Sequence, residues 1–221
     1  MKAMSNRTIN AKTKDLKFVN QAVRGSINGQ PVIIKNADHL NGLAAGLKHG
    51  EVIIQGNAQD YLGVLNDGAA IHVTGNVGNY LADNMTGGTV IIDGDAQYGP
   101  GQYCYSGVIV IRGMAGDFTA TMNKGATIIV GGDVGDEVGT YMLKGDLIVV
   151  GNAGKNFANY LIRGTVYIGG AWESLGHNTR LESMADEDVA KLQAYFETYQ
   201  IEADPKNFTK IVAASEKPFY H

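Results

Sequence analysis

Cys104 and five histidines are the residues of this chain best suited to nucleophilic or metal chemistry. A cysteine becomes a nucleophile where a nearby base or positive charge holds it as a thiolate. No histidine occupies a matching position of the repeat described below, and the equivalent positions include Met85 and Met142. The histidines show no metal-ligand spacing: His39, His49, His72, His177 and His221. We therefore expect Cys104 to be a small buried apolar residue, and we expect no catalytic residue and no metal site.

The composition also disfavours two kinds of site: one built from cysteines, and one that binds a dinucleotide. One cysteine excludes an internal disulfide, a cysteine-rich zinc site and a self-contained iron–sulfur cluster. The abundant glycines resemble parts of a dinucleotide-binding motif, but that motif needs one glycine-rich turn between a strand and a helix. Here every predicted turn is glycine-rich and no helix connects the predicted strands. We expect this chain to bind no cofactor.

A column of Asn and Asp residues, repeated every 19 residues, offers oxygen ligands that calcium would accept. Adjacent coils of a stacked fold lie about 4.8 Å apart, so Asp95 and Asp133, two coils apart, are separated by about 10 Å. That distance is too long for one calcium ion bound at about 2.4 Å, and Met114 lies between them. Asn and Asp also bond nearby backbone and tolerate left-handed turns. A structural ladder is the better interpretation.

The elements that position these residues follow from a glycine that returns every 19 residues without insertion. The markers are Gly56, Gly75, Gly94, Gly113, Gly132, Gly151 and Gly170. A strict period near 20 is typical of a solenoid, in which each repeat is one coil stacked on its neighbour. The period predicts an all-β fold: a single-stranded β-helix of about seven coils, with the marker glycines at structural corners.

Two aliphatic columns predict one buried strand per coil. The residues four before each marker are Val52, Ile71, Val90, Ile109, Ile128, Leu147 and Val166. The residues two before it are Ile54, Val73, Ile92, Ile111, Val130, Val149 and Ile168. Alternation of this kind gives a strand with one face buried, and stacking identical strands gives continuous internal ladders. Further glycines precede each strand, where a tight corner needs positive φ or close backbone approach.

The residue between the two inward columns must point outward, and it is apolar in six of seven cycles. We call Ile53, His72, Ile91, Val110, Ile129, Ile148 and Tyr167 the outer stripe. The stripe extends about 29 Å, whereas a C-terminal helix of some 15 residues reaches only about 22 Å. We expect the chain's own helix to cover part of it and a partner protein to cover the rest. The candidate interface residues are Ile53, Ile91, Val110, Ile129, Ile148 and Tyr167.

The two ends of the chain depart from the repeat and define the expected domains. Residues 1–49 are expected to form an irregular N-terminal cap, with a short strand at Ala22–Arg24 and a stronger one at Pro31–Lys35. Residues 50–176 form the β-helix. Residues 177–221 hold a predicted helix from Asp186 to about Gln200, followed by a docking tail with apolar residues near 208–212 and 218–221.

Charge and hydropathy exclude several functional classes. The net charge of −4 and the lack of a basic run give no footprint for nucleic acid or an anionic membrane. No apolar stretch approaches the roughly 18 residues of a membrane span. The first residues are not followed by the hydrophobic core of a signal peptide. The composition is that of a soluble, cytoplasmic protein.

With these glycines in place, the pattern resembles the Gly-x-x-Gly-x-x-x-Gly repeats of the C-terminal domain of the glutamate synthase large subunit. Residues 132–139 give the full form, and three cycles give it with alanine last. Residues 50–176 carry the resemblance, and the cycles of Gln59, Gln97 and Glu173 depart from it. The helix and tail resemble stand-alone subunits of archaeal-type glutamate synthases and of N-methylglutamate synthases.

The resemblance implies a right-handed β-helix that braces a glutamine amidotransferase against a flavin subunit while ammonia passes between them. It implies a non-catalytic subunit of an oxidoreductase complex, with FMN and an iron–sulfur cluster in a partner. The expected partners are an amidotransferase subunit and an FMN/iron–sulfur synthase subunit in a hetero-oligomer, with a homo-oligomer open for the isolated chain. This chain lacks the N-terminal cysteine of the family's amidotransferases and the cluster cysteines of its flavin subunits.

Two other functions stay open at this point. Similar repeats occur in the GXGXG-type subunit of formylmethanofuran dehydrogenase and of related formyltransferase/hydrolase complexes, although the C-terminal helix and tail disfavour that assignment. A self-sufficient enzyme of the hexapeptide acyltransferase type is a further possibility. That fold has an 18-residue coil built from six-residue units and a working histidine, whereas this period is 19.

Overall fold

The stacked strands of this chain form a β-solenoid of about seven turns in the computed structural model, which describes residues 7–27, 29–215 and 217. The strands are β1 (Arg7–Asn10), β2 (Val32–Lys35), β3 (Glu51–Gln55), β4 (Asp67–Val73), β5 (Gly87–Ile92), β6 (Val108–Ile111), β7 (Lys124–Val130), β8 (Lys144–Val149), β9 (Thr165–Ile168), β10 (Thr179–Glu182) and β11 (Thr209–Ala213). The helices are α1 (Leu16–Arg24), α2 (Asp186–Tyr199) and a short 3₁₀ helix (Pro205–Asn207).

The strands lie in one sheet with the order β1-β2-β3-β4-β5-β6-β7-β8-β9-β11-β10, parallel from β1 to β9. The pairing is in register with the 19-residue period, since Val52 lies opposite Ile71 and Ile71 opposite Val90. Both predicted aliphatic columns are buried, with exposed fractions of 0 or 1%. The prediction of a β-helix built on internal aliphatic ladders is confirmed.

The two glycine columns are required for different reasons. The glycines at the start of each coil's strand, just before it or among its first residues, have φ between 89° and 152°, a region that favours glycine: Gly50, Gly68, Gly88, Gly107, Gly125, Gly145 and Gly164. Among the seven marker glycines, only Gly56 has such a φ, so conformation does not explain why the other six are glycine. A Cβ at Gly94 would instead collide with the Asn76 side chain and the Gly75 backbone of the preceding coil. The markers are therefore small because neighbouring coils approach closely.

Two coils contain a β-bulge that the regular glycine period conceals. The strand register shifts between Asp67 and Ala70 and between Lys124 and Thr127. In each bulge a buried asparagine bonds the displaced backbone: Asn123 Nδ2 donates to the Ala126 carbonyl at 2.8 Å, and its Oδ1 accepts from the Ala126 N–H at 2.9 Å. Asn66 makes the same pair of bonds with Ala69. The asparagine satisfies backbone groups that a regular ladder would pair.

The N-terminal region differs in part from the prediction. The predicted strand at Ala22–Arg24 is wrong, because these residues end helix α1. Asp15 caps that helix by accepting from the Phe18 N–H at 2.8 Å, and Val19 and Val23, four residues apart, are fully buried. The strand predicted at Pro31–Lys35 is confirmed as β2, which pairs in parallel with β3. The sheet therefore begins earlier in the chain than the 19-residue repeat, because β1 and β2 come before the first repeated strand.

The C-terminal segment folds back over the outer face of the sheet. The predicted helix is confirmed as α2, which ends at Tyr199 with Gln200 in a left-handed cap. The tail near residues 208–212 becomes β11, which inserts antiparallel between β9 and β10. Phe208 is buried beside Phe196, with ring centroids 5.3 Å apart. The other predicted tail residues, 218–221, lie outside the residues that the structure describes.

Candidate interaction surface

The outer stripe is divided by α2 into a covered and an open part. Val110, Ile129, Ile148 and Tyr167 are fully buried in a second apolar cluster, together with Leu192, Phe196 and Phe208. These four candidate interface residues are thus covered by the chain itself, which corrects the expectation that a partner contacts them. The expectation that the helix covers only part of the stripe is confirmed.

The covering helix matches the stacking of the strands because one helical turn advances about 5.4 Å and one coil about 4.8 Å. Successive turns therefore meet successive coils. Lys191 Nζ donates to Asp146 Oδ1 at 3.0 Å at β8, and the Tyr195 and Thr127 hydroxyls lie 3.1 Å apart at β7. The 14 residues of α2 are long enough for about four coils, which accounts for four buried stripe residues.

A buried polar cluster fixes the start of α2. Asp188 Oδ1 accepts from the Tyr167 hydroxyl at 2.6 Å, and its Oδ2 accepts from Lys210 Nζ at 2.9 Å. Asp188 also accepts from the Ala185 N–H, half of a capping box. Burial disfavours the charged form, but these hydrogen bonds outweigh it and lower the pKa of Asp188 to about 2. Burial, followed by the bond to Asp188, raises the pKa of Tyr167 above its usual value.

The other end of α2 is fixed by a charged group at the boundary of the open stripe. Arg112 Nη1 donates to the Tyr199 carbonyl at 2.9 Å, where a positive charge suits the carboxyl end of a helix. Arg112 Nε donates to Asp93 Oδ1 at 3.2 Å, and Asp93 Oδ2 lies 2.9 Å from the His72 ring nitrogen. His72 thus belongs to a surface network that ends the covered region.

The open part of the stripe comprises Ile53, His72 and Ile91, on strands β3 to β5, and Ile33 of β2 extends it by one strand. All four are partly exposed, and they follow one another in the register of the sheet. Ile91 lies at the margin, because it packs against the apolar cluster beneath α2 and is still partly exposed. Of the candidate interface residues, Ile53 and Ile91 are the two that are not fully buried.

Cys104 is fully buried, as predicted, and its surroundings oppose nucleophilic chemistry. Its Sγ lies 3.1 Å from the Ala82 carbonyl oxygen, to which it donates. Burial raises the pKa of the thiol to about 12, so the thiol stays protonated at neutral pH. The equivalent residues Met85 and Met142 are also fully buried. Cys104 is a member of an internal column.

The Asn/Asp column forms a hydrogen-bonded ladder along one corner. Asn57, Asn76, Asp95, Asp133 and Asn152 each accept, through Oδ1, the backbone N–H of the residue 19 positions later, at 2.6–3.0 Å. Met114 interrupts the ladder, since its side chain offers no such oxygen. In the part of the chain that the structure describes, no group of three or more His, Cys, Asp or Glu residues is arranged to hold a metal ion. The predicted structural role of this column is confirmed.

The histidines occupy unrelated positions. His39 lies 3.2 Å from the Lys14 carbonyl oxygen, and the His177 ring packs against Tyr160 at 5.4 Å between centroids. His49 lines a cleft of about 280 Å³ between α1 and the first turns. His72 lies on the open stripe, and His221 is outside the described residues. The structure does not bring the described histidines together in one site.

An aromatic row that sequence reasoning missed follows a second corner. Tyr61, Tyr80, Tyr98 and Phe118 contact one another in succession, with ring centroids 4.9, 5.5 and 5.3 Å apart. The signal was an aromatic residue four or five positions after the marker in four consecutive cycles. Stacking of this kind stabilises neighbouring coils. The row therefore contributes to the rigidity of the solenoid.

Comparison with known proteins identifies the family. A model of the GXGXG motif family matches residues 101–216, which include β6 to β11 and α2. The match begins later than the resemblance noted over residues 50–176, and it extends through the C-terminal helix and tail. A comparison with curated proteins finds no match. Among the described residues, no helix has the length and apolar character that crossing a membrane requires. The matched region is more than half of the sequence, and the chain belongs to the GXGXG motif family.

Proposed function

We propose that this chain is a non-catalytic structural subunit of a glutamate synthase-type complex. In that complex glutamine amide nitrogen is transferred to a 2-oxo acid or a related acceptor, and this chain braces the amidotransferase and flavin subunits. The observation that carries the proposal is membership of the GXGXG motif family. A shared fold alone does not fix a function, so the proposal also draws on the chemistry of the described side chains.

That chemistry supports a structural role. Cys104 is protonated and buried, and the Asn/Asp column is occupied by hydrogen bonds between coils. The reaction is assigned to the partner subunits, which would hold FMN and an iron–sulfur cluster. The solenoid supplies a stiff surface, because each coil is bonded to the next through the sheet and through side-chain ladders.

The open stripe is the surface that we assign to the partner. Partly exposed aliphatic residues gain free energy when another protein removes them from water. In this row His72 lies between Ile53 and Ile91. Ile53 and Ile91 belong to this row, and the network of His72, Asp93 and Arg112 forms a polar boundary on its α2 side. An apolar centre with a polar rim is the usual arrangement of a protein–protein interface.

Co-expression tests the proposed assembly. The chain is produced with a glutamine amidotransferase subunit and an FMN/iron–sulfur subunit of the same organism, and complexes are separated by size-exclusion chromatography. We expect the three to co-elute and glutamine-dependent glutamate formation to require this chain. The proposal fails if the chain elutes alone and the activity is the same without it. In a parallel co-expression with one-carbon formyl-transfer subunits, co-elution with those subunits instead would assign it to the formylmethanofuran type of complex.

Two variants test the assigned surface. Ile53→Asp and Ile91→Asp place a charge in the apolar row, and each should weaken the complex at least about tenfold. Leu65→Asp is the matched control, because Leu65 is 57% exposed but lies at a turn rather than on the stripe. Affinity is measured by titration, and thermal unfolding verifies that all three variants fold. Equal binding by all three would place the interface elsewhere.

A further inference from the structure

Among the described residues, the last strand of the sheet, β10, has a pairing partner on one side only. It pairs with β11 and forms one end of the strand order. Its side chains are half-buried or exposed, and Leu181 is 53% exposed. An edge strand of this kind is a template for another strand unless the fold protects it.

The backbone groups that face this free edge can be assigned from the pairing. The Ala214 N–H donates to the Asn178 carbonyl at 2.9 Å, and hydrogen-bonded pairs alternate along an antiparallel ladder. Arg180 and Glu182 therefore bond to β11, opposite Val212 and Lys210. The N–H and C=O groups of Thr179 and Leu181 point away from β11, toward the free edge.

Leu181 also continues the internal ladder of the solenoid. It lies opposite Ile211, which is fully buried and in turn lies opposite Val166 of the inner aliphatic column. At the same end of the core, Trp172 and Leu175 are only partly buried. The apolar core thus ends in residues that no described segment of the chain covers completely.

The edge sequence is complementary to itself. An antiparallel copy centred on Leu181 pairs Leu181 with Leu181 of the second copy, which allows that pair to exchange both backbone hydrogen bonds. The same register places Arg180 opposite Glu182 of the second copy, in a pair whose side chains lie closest together. Within one chain Arg180 lies 2.7 Å from Glu182, and Lys210 Nζ also lies 3.2 Å from Glu182. The cross-strand pairs would therefore share or replace these surface ion pairs.

We propose that β10 is a homodimerisation edge, at which a second copy of this chain adds its own β10 antiparallel about a two-fold axis through Leu181. The two sheets then join into one, and the two exposed leucines cover each other. This inference does not rest on the proposed function, because it concerns the chain alone. Its test uses the isolated chain, so the two can fail independently.

Charge reversal tests the register of this edge. In Arg180→Glu two negative charges face each other across the interface, and in Glu182→Arg two positive charges do. Sedimentation equilibrium of the unmodified chain should show a monomer–dimer equilibrium, and each variant should dissociate at least about tenfold more readily. An equimolar mixture of the two variants restores opposite charges in both cross-strand pairs, and it should form a heterodimer. Rescue by mixing would not follow from a role in folding one chain.

Arg7→Glu is the control, because it reverses a charge on β1, the edge strand at the other end of the sheet. It should leave the dimerisation constant unchanged.

A chain that is monomeric at all concentrations would overturn the proposal, and so would a dimer that tolerates Arg180→Glu. Circular dichroism shows whether each variant is folded. If a variant is unfolded, hydrogen exchange at the Leu181 amide of the unmodified chain is measured as a function of protein concentration. Protection that increases with concentration supports the dimer. Protection that is the same at every concentration would mean that the monomer itself covers this amide, and it would overturn the proposal.

Discussion

At the scale of single residues, Asp83 is an unfavourable feature of the fold. Its Oδ1 is buried without a hydrogen-bond partner. Burial raises the pKa of this carboxyl, although bonds from Asn84 oppose the change. A raised carboxyl pKa means that the folded state binds a proton more tightly than the unfolded state. The free energy of unfolding therefore falls as the pH rises through the pKa of the folded state.

Asp83→Asn should remove this pH dependence and stabilise the protein at neutral pH, because the amide carries no charge that burial would disfavour. Urea denaturation between pH 4 and 8 measures the change, with about unit steps in pH. Asp38→Asn is the control, because the Asp38 side chain is 71% exposed. Identical pH profiles for the Asp83→Asn and unmodified chains would contradict this account.

The interrupted Asn/Asp ladder gives a second prediction at this scale. Met114→Asn places an oxygen where neighbouring coils have one, so that it can accept the Asp133 N–H. Because Met114 is 54% exposed, little apolar burial is lost. The free energy of unfolding should rise by about 1 kcal/mol, the value of a typical hydrogen bond. Asn76→Met makes the reverse change in the intact part of the ladder and should lower stability by a similar amount in urea denaturation. A loss of stability in Met114→Asn would show that position 114 is not equivalent to the other Asn and Asp positions of the ladder.

At the scale of elements, docking of α2 depends on the charge of Asp188. The pKa of this group is lowered from 3.8 to about 2, so its contribution is present above pH 4 and is lost as the pH falls toward 2. The contribution is about 2 kcal/mol. Hydrogen exchange of α2 amides between these pH values should show the helix opening before the central strands exchange.

Asp188→Asn is the variant that tests this mechanism. It removes the charge that Lys210 and Tyr167 bind, so the opening of α2 should be enhanced at pH 7 and should not change further in acid. Glu187→Gln is a matched control, because Glu187 is in the same helical turn but is exposed. Acid-dependent opening that persists in Asp188→Asn would assign the effect to another group.

At the scale of the whole molecule, the stacked architecture predicts a gradient of local stability. Each coil contacts mainly its neighbours, so the ends open at lower free energy than the centre. At concentrations where the chain is monomeric, hydrogen exchange should be fastest in the edge strands β1 and β10. It should be slowest in β6 to β8, which are buried between coils and beneath α2. Uniform protection along the chain would indicate instead that the solenoid unfolds as one unit.

The sequence by itself determined the repeated part of this protein. The 19-residue period and the two aliphatic columns repeat a local requirement in every coil, and the Asn/Asp column repeats one in five of the seven coils, so a single chain displays them several times. Ile109 is informative because its equivalents in the other coils are all aliphatic. The acidic first turn and the apolar spacing also located α2, because both are properties of one continuous segment.

Only the tertiary structure decided which surfaces remain open. Whether Val110 or Ile53 faces water depends on where α2 lies, and its position follows from contacts between residues far apart in sequence, such as Arg112 with Tyr199 and Tyr167 with Asp188. The pairing of β11 between β9 and β10 is equally non-local, and it leaves Leu181 at an edge that no other described strand pairs. Repetition fixes the coil, because each coil imposes the same constraint on the next. The ends occur once, and their contacts arise only when the chain folds back on itself.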